Sequence, residues 1–151
     1  MKVSELLSHD CVLVDQVARD KDHLLETLAS SAAGRQMLDS RTVRDALLAR
    51  ERLGSTGLGC GIAIPHARIN GVTRPIAIAV RLKRPIAFDA VDEKPVDFVV
   101  LLLMPASTNA ANLDALACVT RRLRDKDLMA QVRKASNAST VFQLLASDAS
   151  D

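Results

Sequence analysis

Val96 Asp97 Phe98 Val99 Val100 Leu101 Leu102 Leu103 Met104 is an almost unbroken apolar run that stops at Pro105. A strand with one face in water alternates apolar and polar residues, whereas a strand covered on both faces does not, so this run predicts the centre of a sheet. After the turn signal Asn70 Gly71, the stretch Ile76 Ala77 Ile78 Ala79 Val80 Arg81 Leu82 alternates large and small apolar residues and predicts a second strand of the same kind. Pro85 to Phe88 and the polar stretch Asp89 to Pro95 predict an edge strand or a hairpin turn. Two shorter strands are expected, at Cys11 to Val14 and at Ile62 to Ile64, the latter closed by Pro65.

Helical patterns lie between and beyond these strands. One runs from about Asp22 to Ala33, with Leu24, Leu25 and Leu28 on one face and Gly34 as its stop. A second runs from about Ser40 to Leu53 through Val43, Ala46 and Leu47, with Thr42 and Asp45 as a capping-box-like pair and Gly54 as the left-handed exit. After Pro105, Ser107 or Thr108 is expected to cap a helix reaching about Asp125, with Leu113, Leu116, Ala117 and Leu123 inward. Two shorter helices follow around Leu128 to Lys134 and Thr140 to Ala146, and the tail from Ser147 to Asp151 is expected to fray. Strands interleaved with helices around a doubly covered strand predict an α/β three-layer sandwich, a central mixed β-sheet with helices on both faces. Its 151 residues are expected to form a single domain.

Composition removes several functions. A net charge of +2, with basic residues clustered only at Arg121, Arg122 and Arg124, is too weak for a nucleic-acid face. Three Phe and no Tyr or Trp leave little to stack on a base or a sugar. The longest apolar run, Phe98 to Pro105, is far short of the ~20 residues that span a bilayer, so no membrane insertion is expected. Cys11, Cys60 and Cys118 show neither CxxC nor metal-ligand spacing, and the N-terminus does not read as a signal peptide. The expectation is a cytoplasmic protein with no metal and no cofactor.

The chemistry concentrates elsewhere. Four of the six glycines fall in Gly54 Ser55 Thr56 Gly57 Leu58 Gly59 Cys60 Gly61, which leads through Ile62 Ala63 Ile64 Pro65 to His66. Glycine-rich backbone reaches φ > 0 and lets amides converge, which is how chains cradle phosphate. A neutral imidazole can attack phosphorus, with loop amides, Ser55 or Thr56 hydroxyls and an arginine such as Arg50, Arg52 or Arg68 meeting the equatorial oxygens. There is no Gly-Lys-Ser/Thr ending and hence no nucleotide cradle. The phosphate would arrive on another protein, for which Leu58, Ile62 and Ile64 offer an apolar rim. His9 and His23 sit in ordinary polar and helical settings.

Each signal also has a structural reading. Arginines in a last helical turn complement the dipole without any ligand, which is preferred for Arg52 and stands level for Arg50. Ser55 and Thr56 serve equally as turn residues. Cys60 fits as a small residue between glycines, with a Cys60 and His66 nucleophilic pair left open by spacing. Cys11 and Cys118 read as core.

The stretch Arg50 Glu51 Arg52 Leu53 Gly54 Ser55 Thr56 Gly57 Leu58 Gly59 Cys60 Gly61 Ile62 Ala63 Ile64 Pro65 His66 closely resembles the active-site signature of the fructose/mannitol-type IIA proteins of the bacterial phosphoenolpyruvate phosphotransferase system. A second block, Pro85 to Asp97, resembles the nitrogen-regulatory branch. The resemblance implies a mixed sheet flanked by helices and a phosphohistidine carrier rather than a turnover enzyme. His66 would accept the phosphoryl group from an HPr-like protein, itself charged by a phosphoenolpyruvate-dependent enzyme I. Arg50 matches the arginine that steadies the phosphoryl group, and Ser55, Thr56, Gly57, Gly59 and Gly61 match the binding loop.

Two departures stand out. Many family members carry a second histidine where this chain has Asn112, in Asn112 Leu113 Asp114 Ala115 Leu116 Ala117. An amide can donate to phosphate but cannot carry a proton, so only a helper role transfers to it. Cys60 replaces the usual asparagine between two glycines. Three functions follow in order: a carrier that regulates target proteins by its phosphorylation state, a sugar-specific relay passing phosphate to a IIB domain, and a Cys60/His66 hydrolase.

Overall fold

The computed structural model describes residues 1–107 and 110–147. In chain order its elements are α1 (Val3–Leu6), β1 (Leu7–Gln16), α2 (Lys21–Gln36), α3 (Ser40–Arg52), β2 (Gly57–Gly59), β3 (Ile62–Ala63), β4 (His66–Ile69), β5 (Ile76–Ile86), β6 (Val96–Pro105), α4 (Ala110–Leu123), α5 (Lys126–Lys134) and α6 (Ala138–Ala146). The six strands form one mixed sheet in the order β1-β5-β6-β3-β2, with β4 also on β6. β6 is central as expected, and all of it is buried except Asp97, whose carboxylate is held by Arg133 at 3.0 Å. Helices cover both faces of the sheet, α2 packing with α3, and α4, α5 and α6 grouping with α1.

β1 runs parallel to β5, which is antiparallel to β6, and β3 and β4 both run parallel to β6. The registers Ile62↔Phe98, Ala63↔Val99 and His66↔Leu102 keep a constant offset, so β3 and β4 are one extended line interrupted only at Ile64 and Pro65. Pro65 has no N–H to donate, but its carbonyl still accepts Leu102 N–H at 2.9 Å. The strand expected to close at Pro65 therefore continues to Ile69, and His66 lies on a strand rather than after one. β5 likewise runs beyond Leu82 to Ile86 across a register shift that accommodates Pro85. Residues 87–95 are a loop and not an edge strand.

Several helix boundaries are corrected. α2 passes through Gly34 and ends at Met37, which takes the left-handed φ of 56° while its N–H bonds Ala33 O. The cap of α3 is Asp39, whose carboxylate accepts Thr42 N–H at 3.1 Å, not the pair Thr42 and Asp45. α4 turns the expected face inward only in part: Leu123 is buried and Leu116 packs partly buried on the core as expected, but Leu113 is 72% exposed and Ala117 is exposed, with Ala115, Cys118 and Val119 buried instead. The rotation is set at its start, where Asn112 Nδ2 donates to Pro105 O at 3.1 Å and Ser107 O at 2.9 Å. Thr108, a candidate cap, and residues 148–151 lie outside the described residues. Cys11 and Cys118 are buried, as expected.

Candidate functional site

The last turn of α3 carries Arg50 and Glu51 to the open edge of the β3–β4 line. Alternation along β4 buries Ala67 and Ile69 against the core and leaves His66 half-buried. Ile64 N–H bonds Thr56 O at 3.1 Å, on the side away from β6. Its carbonyl faces that same side, where β2 offers it no partner, and it takes the His66 ring instead, Nδ1 to O at 2.9 Å. A carbonyl can only accept, so Nδ1 carries the hydrogen. Arg50 Nε, which can only donate, lies 3.3 Å from Nε2, so Nε2 presents its lone pair.

Burial lowers the His66 pKa below the usual histidine value, opposed by the Ile64 hydrogen bond, reinforced by the Arg50 charge and opposed again by Glu51. The ring is thus neutral near pH 7, with an unprotonated Nε2. Arg50 Nη1 also donates to Gly54 O at 2.8 Å, which fixes the guanidinium beside the ring. Arg50 thus stands in the last turn of α3, as the dipole reading has it, and also contacts the imidazole.

The rest of the expected phosphate loop is placed differently. Ser55 Oγ donates to Phe88 O at 2.7 Å and accepts Gly57 N–H at 3.1 Å. Thr56 is buried, and its hydroxyl and N–H both donate to the Glu51 carboxylate. Both hydroxyls hold the loop together, as the turn reading has it. A Cβ on Gly57 would meet Ala90 Cβ at 2.7 Å, so this glycine permits close packing. Gly59 ends β2 and Gly61 is the second residue of the two-residue turn of the β2–β3 hairpin, where their neighbours are Asp92, Asp97 and Arg133.

The four residue steps from Ile62 to His66 span about 13 Å of strand, so the turn lies well away from the imidazole. The glycine amides do not converge on His66. What faces Nε2 is a guanidinium. Cys60 shares that distant turn, its N–H on Asp92 at 2.9 Å and its carbonyl on Arg133 at 2.7 Å, and forms no pair with His66. Ile62 and Ile64 are 4% and 2% exposed and so are core, not rim. Leu53, the residue before Gly54 at the end of the helix that carries Arg50, is an exposed apolar side chain. Asn112 spends both amide hydrogens on Pro105 and Ser107 carbonyls, which removes the donor role expected of it. His9 bonds Ser139 and packs against Phe142, and His23 accepts Arg19 N–H.

Glu51 and Lys21 were not singled out by sequence, yet they pair at 2.8 Å behind the loop. A glutamate between two arginines at a helix end reads as solvated, and nothing local connects it to a lysine on another helix.

A family model described as "Phosphoenolpyruvate-dependent sugar phosphotransferase system, EIIA 2" matches residues 5–148. The nitrogen regulatory protein of Escherichia coli (strain K12) is 36% identical over 146 residues, covering 96% of this chain and 90% of that one. The crystal structure of nitrogen regulatory protein IIA-Ntr from Neisseria meningitidis aligns with a TM-score of 0.89 at 32% identity, over 95% of this chain and 98% of that one. The fold is shared with Escherichia coli enzyme IIAMTL, solved in complex with phosphorylated enzyme IIBMTL, at a TM-score of 0.78 and 17% identity over 93% and 99% of the two chains. No helix among the described residues is long and apolar enough to cross a membrane. By the match of the family model over residues 5–148 and its identity to these relatives, the chain belongs to the phosphotransferase system EIIA 2 family, among relatives named nitrogen regulatory proteins.

Proposed function

We propose that this chain is a cytoplasmic, single-domain phosphohistidine carrier of the phosphotransferase system, that His66 Nε2 is the phosphoryl acceptor and an HPr-like protein the donor. The observation that carries the reading is the opposed pair of bonds on the ring, Nδ1–H to Ile64 O and Arg50 Nε to Nε2. The Nε2 lone pair attacks phosphorus on the donor's phosphohistidine. As the new N–P bond forms, the donor's N–P bond breaks and its electron pair returns to the donor nitrogen. No proton has to leave Nε2, because it holds none. The phosphorylated ring keeps Nδ1–H, whose bond to Ile64 strengthens as the ring gains positive character. Arg50, already beside Nε2, meets charge on the equatorial oxygens.

The arriving group changes local charge by about −1.5 to −2, enough to repel one partner and recruit another. That supports regulation of target proteins by phosphorylation state, in keeping with relatives named nitrogen regulatory proteins. A relay to a IIB domain is the second reading, favoured by the shared fold with a IIA protein captured on its phosphorylated IIB partner. Label passing to a partner cysteine supports the relay.

The test is incubation with phosphoenolpyruvate, enzyme I and the HPr-like donor. Wild type takes up one labile, acid-sensitive phosphoryl group and His66→Ala takes up none; label persisting on His66→Ala overturns the proposal.

A further inference from the structure

Three hydrogen bonds in series connect a buried carboxylate to the imidazole. Glu51, with its side chain 5% exposed, faces Lys21 Nζ at 2.8 Å, and Lys21 is itself 16% exposed. The Glu51 carboxylate accepts Thr56 N–H at 3.2 Å and the Thr56 hydroxyl on its other oxygen. Thr56 O accepts Ile64 N–H at 3.1 Å, and Ile64 O accepts His66 Nδ1–H at 2.9 Å. The N–H and C=O of Thr56 belong to different peptide units, as do those of Ile64, so the series acts by position and not by polarisation along one amide.

Lys21 is fixed in turn by the ring of Phe88 at 4.6 Å and by Phe88 O at 3.4 Å, the carbonyl that also receives Ser55 Oγ. One buried charge pair therefore holds three segments: the end of α3, the 54–57 loop and the 87–95 loop. Arg50, the covalent neighbour of Glu51, grips Gly54 O in the same loop.

We infer that Glu51 is a positioning residue for His66, pinning Thr56 so that the Ile64 carbonyl captures Nδ1–H and leaves Nε2 as the only nucleophilic nitrogen. The inference rests on the reading of His66 as phosphoryl acceptor. Three donors converge on Glu51, and two of them, Lys21 Nζ and Thr56 N–H, can only donate and meet the same carboxylate oxygen. Glutamine, of equal size, keeps one oxygen for those two donors but removes the charge that holds Lys21 and turns the Thr56 hydroxyl from donor to acceptor, which weakens the hold on Thr56. The register of Ile64 then loosens and the ring is released to sample its second tautomer.

The experiment uses Glu51→Gln in the full chain, with ring tautomer read by long-range 15N–1H correlation and phosphoryl acceptance by single-turnover labelling. Wild type shows His66 as Nδ1–H. Glu51→Gln is expected to show a mixture of tautomers and an acceptance rate lower by about tenfold or more, with the donor concentration for half-maximal rate unchanged. A folded Glu51→Gln protein with a wild-type tautomer and rate overturns the inference. If Glu51→Gln does not fold, Thr56→Val, which keeps the backbone N–H and loses only the hydroxyl, carries the test: a tautomer mixture supports the inference and an unchanged Nδ1–H signal overturns it. Wild type that takes no label at all instead overturns the phosphocarrier reading, and the tautomer measurement stands apart from it.

Discussion

As the proposed phosphoryl acceptor, His66 has to be deprotonated at Nε2, so its titration sets the acid limit of the proposed reaction. Desolvation is the largest influence on it and lowers its pKa from 6.5; the Ile64 bond and Glu51 work upward and Arg50 works downward. Protonation would fill the lone pair that Arg50 now faces. The rate of phosphoryl acceptance is therefore expected to fall on acidification along a limb centred below pH 6.5. Removing the Arg50 charge removes one downward influence, so Arg50→Gln moves the acid limb upward. It also lowers the plateau by about tenfold to a hundredfold, through loss of a preorganised donor. Single-turnover labelling of both proteins between about pH 5 and pH 8 checks this. A wild-type limb centred above the ordinary histidine value would contradict the burial seen here.

At the scale of the element, the β2–β3 hairpin shows what the glycines are for. Gly59 pairs with Ile62, leaving Cys60 and Gly61 as a two-residue turn with φ of 56° and 81°. Positive φ at both positions is the type I′ pattern that asparagine followed by glycine adopts with least cost. Cysteine is strained there, because its Cβ crowds the backbone in the left-handed region and it lacks the short amide that compensates in asparagine. Cys60→Asn is expected to stabilise the fold by about 0.5–1 kcal/mol, a rise in Tm of roughly 1–4 °C. It should leave labelling at His66 unchanged, since the turn is distant. Thermal unfolding monitored by circular dichroism measures the first and the labelling assay the second; a lower Tm would argue against strain at this turn. The central strands were legible because hydrophobic uniformity reports double burial directly, and His66 and Arg50 were legible through their motif. Glycine spacing could not distinguish a phosphate cradle from a hairpin, because both require positive φ; the outcome depends on Asp92, Asp97 and Arg133, all far along the chain. Pro65 hid β4 because missing one donor looks like a strand end in sequence, although its carbonyl keeps the ladder. The α4 face was misjudged because its rotation is set by the tertiary bonds of Asn112.

In the whole molecule, the sandwich brings the two sequence blocks of the family together at one edge of the sheet. The 87–95 loop packs on the hairpin through Ala90 against Gly57 and Asp92 under Cys60, and it receives Ser55 and Lys21 at Phe88. The scaffold around the imidazole is thus braced from α2, α3 and the 87–95 loop, while the ring itself remains half-buried. On the proposed function a donor protein carrying its own phosphohistidine approaches this edge, and Leu53, next to the loop, is an apolar side chain exposed at 85%. Leu53 makes no contribution to the core, so its substitution tests docking without unfolding the chain. Leu53→Lys is expected to raise the half-saturating concentration of the HPr-like donor by about fivefold to tenfold, by placing a solvated charge in a contact that excludes water. The rate at saturating donor should stay within about twofold, because Arg50, Ile64 and the ring are untouched. Val17→Lys is the matched control: it exchanges another exposed apolar residue, 61% exposed, just after β1 at the opposite edge of the sheet. Donor-titrated labelling of wild type and both variants gives the comparison. Equal effects of the two substitutions, or a loss confined to the saturated rate for Leu53→Lys, would place the docking surface elsewhere on the molecule.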